Sequence, residues 1–168
     1  MGLIFQDFVR NFFRLKQDRF KVKGDTILFN VDGDEEVGRN LLPEMETDTT
    51  LYSDTRTIII ECKWTETLTS GRNGKMTLKP QHLRQLLTYM AHHKRTLSNA
   101  GEVEGLLLYP RTEPVNVAVR IKGQRLRVRT INFEADWEKI ELQMLSLLEE
   151  EPSRVPVRAA ESHPSATL

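Results

Sequence analysis

Thr47-Asp48-Thr49-Thr50-Leu51-Tyr52-Ser53-Asp54-Thr55-Arg56-Thr57-Ile58-Ile59-Ile60-Glu61-Cys62-Lys63-Trp64 decides the fold. Threonine dominates its start and isoleucine its later half, and both are β-branched residues that fit a pleated sheet. Between them, Ser53-Asp54-Thr55-Arg56 supplies turn formers. The stretch reads as two strands, residues 47–52 and 57–64, joined by a tight turn. With the turn centred between Asp54 and Thr55, Ser53 opposes Arg56, and stepping outward Asp48 opposes Glu61. Opposed residues share a face with Cβ atoms about 4.5–5.5 Å apart. Alternation puts Lys63 on the face of Glu61 and sends Ile58, Ile60 and Cys62 to the other face, into the core. A slip of one residue would scatter the trio, so the register is a sharp expectation.

Two facing carboxylates repel, and a divalent cation would relieve them. Magnesium takes oxygen ligands, usually one or two carboxylates completed by water and phosphate. Asp48 and Glu61 are the expected ligands, with the backbone carbonyl of Cys62 beside them. Such an ion activates water and stabilises charge on a phosphodiester, while Lys63 orients the water or neutralises the developing charge. A surface ion cluster would have the same spacing. The Cys62 thiol reads as a small core group rather than a nucleophile.

Outward from this stretch the chain alternates helical and extended patterns. Residues 3–15 carry Phe5, Phe8, Val9 and Phe12 at helical spacing. Residues 20–22 and 26–31 read as short strands around Lys23-Gly24-Asp25, and 32–42 as a loop. Residues 66–78, polar with Gly71 and Gly74, read as a mobile loop. A helix is expected from Pro80 to about Leu97, with Leu83, Leu86, Leu87 and Met90 on one face. Residues 105–109 form a buried strand ending at Pro110, 115–121 and 125–133 a hairpin, and 136–149 a last helix. Beyond Pro152 the composition predicts a disordered tail. The expected organisation is one α/β (α+β) domain over residues 1–150, a mixed central sheet flanked by helices, followed by the tail 151–168.

Composition narrows the partners little. Lys plus Arg and Asp plus Glu are both 24, so the distribution of charge matters more than its sum. One cysteine excludes an internal disulfide framework and a multi-cysteine zinc site. No stretch has the length and apolarity of a membrane span, the first residues lack a signal-peptide pattern, and a reducing cytoplasmic setting is expected. No glycine-rich phosphate loop followed by Lys-Ser or Lys-Thr occurs, so GTP hydrolysis by that route is excluded.

Two further features bear on binding. Gln85 and Tyr89, four apart, share a helical face beside the apolar stripe. Lys79 and His82 could touch phosphate, but read first as exposed helix residues. In the late hairpin, centring the turn on Gly123 and Gln124 pairs Lys122 with Arg125, Arg120 with Arg127 and Ala118 with Arg129. One face is then densely positive and suited to phosphates, though a solvated face guarding a sheet edge has the same pattern.

Several segments in order resemble a known family. Residues 42–48 (Leu-Pro-Glu-Met-Glu-Thr-Asp) and 58–64 (Ile-Ile-Ile-Glu-Cys-Lys-Trp) resemble the nuclease region of the McrC subunit of methylcytosine-dependent restriction systems. Residues 85–90, 105–110 and 3–9 resemble that family's glutamine-to-tyrosine helix, following strand and opening helix. The resemblance implies a restriction-endonuclease-like, PD-(D/E)xK core and a magnesium-dependent DNA endonuclease. Its catalytic residues would be Asp48, Glu61, Lys63 and Gln85, and its metal ligands Asp48, Glu61 and Cys62. The resemblance would also put Tyr89 near DNA, while by the hairpin reading DNA, or instead an acidic partner, would meet Arg120, Lys122, Arg125, Arg127 and Arg129. The resemblance further implies an AAA+ GTPase motor as partner, with a homodimer left open.

Three departures from the family pattern stand out. Gln6 lies where the family often has a glutamate, with Asp7 adjacent. Glu61 stands for the more usual aspartate. The chain also starts almost at the opening helix, so the family's motor-docking region is expected from another polypeptide, or the chain is a fragment or free-standing relative. The alternative function is a weak or inactive nuclease fold that binds DNA or a protein. A third reading is a structural subunit of a defence complex.

Overall fold

In a computed structural model, described for residues 1–29, 31, 36–71, 74–93, 102–110 and 113–149, the central hairpin forms with the expected register. Strand β4 (Thr49–Tyr52) runs antiparallel to β5 (Arg56–Cys62), pairing Thr49 with Ile60 and Tyr52 with Thr57. The same register continued one step outward sets Asp48 against Glu61. Asp48 itself sits in a bend just before β4.

Four more strands complete a six-stranded sheet. They are β1 (Lys21–Lys23), β8 (Glu102–Pro110), β9 (Asn116–Ile121) and β10 (Gln124–Ile131), in the spatial order β1-β4-β5-β8-β10-β9. Strands β5, β8 and β10 are mutually parallel, and the outer pairings are antiparallel. The parallel centre explains the run of apolar residues in β5 and β8, because a strand covered on both faces needs no alternation.

Each face has its own core. On one, α1 (Gly2–Lys16) and α4 (Trp137–Ser146) bring Phe5, Val9, Phe13, Ile140 and Met144 onto Ile58, Ile60, Cys62, Leu106 and Leu108. On the other, α3 (Pro80–His93) brings Leu86, Tyr89 and Met90 onto Ile59, Leu107, Tyr109, Leu126 and Val128. Gly105 lets α3 lie close to the sheet: a Cβ there would come 2.4 Å from Met90 Sδ and 2.9 Å from Leu86. The architecture is α+β, a mixed six-stranded sheet flanked by helices, consistent with a restriction-endonuclease-like core. No helix among the described residues is long and apolar enough to cross a membrane.

Several local expectations change. The early strands do not pair with each other: β1 pairs with β4, and β2 (Thr26–Ile27) pairs with β3 (Met45–Glu46). Val22 packs against the α1 core while Ile27 packs against the α3 core, so the chain crosses between layers at Gly24 instead of folding back. Within 32–42, residues Glu36–Arg39 form a short helix, α2. Residues 66–78 contain a hairpin, β6 (Leu68–Ser70) with β7 (Met76–Leu78), and Leu78 packs on the α3 core. Helix α3 is described over Pro80–His93; the expected helical residues 94–97 and the tail 151–168 lie outside the described residues.

The late hairpin is shifted by two residues. Its turn is Lys122-Gly123, with φ of 49° and 79°, the left-handed pair that matches the twist of a two-residue hairpin loop. Arg125 therefore opposes Arg120, Arg127 opposes Ala118 and Arg129 opposes Asn116. An even shift changes partners and keeps faces.

Candidate active site

The bend at Asp48 is held from three sides. Arg10 of α1 donates from Nε to the Asp48 carbonyl at 2.9 Å, and also from Nη2. Thr49 Oγ1 donates to the same carbonyl at 2.8 Å. The Asp48 carboxylate is turned to the end of β5, where Oδ2 accepts from the Cys62 N–H at 2.7 Å. Because the N–H and C=O of one strand residue point to the same lateral side, the Cys62 carbonyl also faces this edge.

Glu61 is 1% exposed, on the sheet face covered by α3. Lys63 Nζ donates to Glu61 Oε1 at 2.6 Å and to Gln85 Oε1 at 2.9 Å. Gln85 Nε2 in turn donates to the Tyr89 hydroxyl at 2.7 Å. Glutamine and tyrosine, one helical turn apart, thus fix the lysine over the sheet. The expected quartet Asp48, Glu61, Lys63 and Gln85 is brought together. Tyr89, expected to meet DNA, belongs to the same chain of contacts and is buried against Gln85.

The electrostatics are those of a crowded anionic pocket. Burial, reinforced by the Asp48 charge, pushes Glu61 up to about 7 despite the attraction of Lys63. Burial likewise raises Asp48, against the Cys62 N–H and the charges of Lys63 and Arg10. Oxygen Oε2 of Glu61 is buried without a hydrogen-bond partner. An orphaned carboxylate oxygen beside a second carboxylate is what a divalent cation would satisfy, so the residues present fit magnesium. Protein ligands would be the two carboxylates and the Cys62 carbonyl. Among the described residues no group of three or more His, Cys, Asp and Glu side chains converges, so water and phosphate would complete the shell. The Cys62 thiol is 3% exposed on the opposite face, and burial raises it well above the ordinary thiol range. That is an inert core sulfur.

Some contributors escaped the sequence pattern. Arg10 supports Asp48 from a helix 38 residues away, and nothing local in the sequence marks it. Gln6, one turn before Arg10, lies on the same side of α1, while Asp7 is exposed and does not replace it. His82 contacts the buried Tyr109 hydroxyl at 3.0 Å. Its pKa is lowered by burial and by Lys63 and Lys79, which sets it at the border of the site rather than in open solvent.

The basic ribbon is corrected. Arg127 is 1% exposed, ion-paired with Glu104 and donating to the Leu147 carbonyl at 2.8 Å. Arg129 is buried and donates to the Val117 carbonyl at 2.8 Å. The end of α4 covers this face, and the buried Glu104 carboxylate offsets its charge. Arg125 lies 3.8 Å from Glu104, and Arg120 pairs with Glu102 at 2.8 Å. Lys122 stands exposed at the turn. A continuous positive face is absent among the described residues.

No protein-family model matches the chain. It is 28% identical over 151 residues to the type IV methyl-directed restriction enzyme EcoKMcrBC of Escherichia coli (strain K12). The match covers 89% of this chain and 43% of that protein, so the chain spans less than half the length of its curated relative. The chain is thus similar over most of its length to part of a restriction enzyme, and its mixed sheet sets Asp48, Glu61 and Lys63 together at one strand end.

Proposed function

We propose that the chain is the DNA-cutting component of a restriction system, a magnesium-dependent endonuclease acting with a GTP-hydrolysing AAA+ motor. The observation that carries the reading is the buried pair of Asp48 and Glu61, one oxygen left without a partner, with Lys63 on Glu61. A bound magnesium would polarise the scissile phosphate and lower the pKa of an attacking water. The chain's own residues do the rest. Asp48 and Glu61 define where phosphate and water sit, and Arg10 locks the bend carrying Asp48. Lys63, held by Gln85, places a positive charge where negative charge develops.

Plasmid cleavage in magnesium, with and without a cognate motor, tests this. The parent cuts, while Lys63→Ala and Asp48→Asn lose cutting and keep their fold. Equal cutting by Lys63→Ala sinks the mechanism.

Gln6 on the Arg10 side of α1, where an acid would add a further oxygen ligand, favours a second reading. In it the fold binds DNA or a partner and cuts weakly or not at all. DNA binding with no heat of magnesium binding in calorimetry would select that reading.

A further inference from the structure

Four residues along β4 from Asp48, on the same sheet face, Tyr52 lines a cavity of about 620 Å³. At about 3.3 Å per strand residue the two places lie roughly 13 Å apart. The volume is that of a small-ligand pocket, about 300–1,000 Å³. Its rim is cationic. Lys21 opposes Tyr52 and Lys23 opposes Thr50, so both lysines stand on the cavity side of β1. Lys23 Nζ lies 5.9 Å from the Tyr52 ring centre. One wall is apolar, formed by Ile27, Phe29 and Pro43.

The polar wall is a hydrogen-bonded chain. Tyr52 donates its hydroxyl proton to Asp25 Oδ2, and the Tyr52 hydroxyl oxygen lies 2.8 Å from His93 Nε2. Tyrosine has one proton to give, so Nε2 carries the hydrogen in the second contact. His93 is 5% exposed, and its Nδ1 is buried without a partner. Buried polar atoms without partners are rare, and each asks for an explanation.

We propose that this cavity holds one unstacked nucleotide of a DNA strand, its base against Phe29 and the Tyr52–His93 wall and its flanking phosphates on Lys21 and Lys23. A fatty chain would leave Asp25 and His93 unmatched. A free phosphate would leave the apolar wall bare and meet the Asp25 carboxylate. A nucleotide pairs each part: a flat apolar body, a polar edge and an anionic backbone. The choice of DNA rests on the proposed nuclease function, and the cavity's separation from Asp48 is short enough for one strand to reach both.

Anisotropy of a short labelled single-stranded oligonucleotide, read in EDTA so that nothing is cut, tests the proposal. Phe29→Ala weakens binding about tenfold, the size of one lost base stack. The same substitution has no effect on an oligonucleotide made of abasic sugar-phosphates. Lys21→Ala with Lys23→Ala reduces the salt slope by about 1.4, two phosphate contacts at about 0.7 each. Parent-like binding by these variants, or equal weakening of intact and abasic strands by Phe29→Ala, or no binding by the parent, overturns the proposal. Cutting that fails in the parent while this binding pattern holds removes the nuclease reading and leaves the cavity assignment standing.

Discussion

Replacing Glu61 by glutamine stabilises the metal-free protein at alkaline pH. Folding takes this carboxyl from its ordinary 4.5 to about 7, because burial and the Asp48 charge outweigh Lys63. Between those values the native chain holds more protons than the unfolded chain, so stability falls as pH rises. The favourable contribution is fully present below about 4.5 and gone above about 7. At about 1.36 kcal/mol per pH unit, the ionised Glu61 costs about 3 kcal/mol at pH 8. Glutamine keeps the shape and an oxygen for Lys63 while removing the charge. Urea or thermal unfolding in EDTA should show Glu61→Gln about 3 kcal/mol more stable at pH 8, roughly 6–12 °C in Tm. The gap should close as pH falls toward 4.5, and magnesium at pH 8 should narrow it by stabilising the parent alone. A variant no more stable than the parent at pH 8, or a gap independent of pH, refutes the reasoning.

Other consequences are as direct. Glu104→Ala should lower stability by about 3–5 kcal/mol in urea unfolding, since it strips Arg56 and Arg127 of their buried counter-charge. Gly105→Ala should cost about 1–3 kcal/mol through overpacking against Met90, and adding Met90→Ala should cost less than the sum of the separate changes. Gln85→Ala should slow cleavage about tenfold with KM unchanged, a smaller effect than Lys63→Ala, since Lys63 keeps Glu61 and loses one hydrogen bond.

Much of the fold was legible because the central hairpin is short and strongly patterned. A tight turn at Asp54 fixes its register, and that register brings Asp48 to Glu61. For Gln85 the helical repeat of four gave only a shared face with Tyr89, and its place at the site came from the family resemblance. What escaped was tertiary. Arg10, Gly24 as a crossing point between layers, and the fate of the late arginines depend on which elements pack on which face. Arg127 and Arg129 alternate like a DNA-facing ribbon, yet α4 and Glu104 bury that face. Alternation reports that two faces differ and does not say what covers either. The turn at Lys122-Gly123 was misplaced because a lysine in the left-handed region is rare, and the neighbouring Gly123-Gln124 pair offered a cheaper turn.

The most direct measurement is a crystal of the protein soaked in manganese, with the anomalous signal read at the metal edge. A peak bridging the Asp48 and Glu61 carboxylates, near the Cys62 carbonyl, and lost in Asp48→Asn, is the predicted result. Saturating manganese that gives no peak there, or one that persists without the Asp48 carboxylate, contradicts a metal-dependent site.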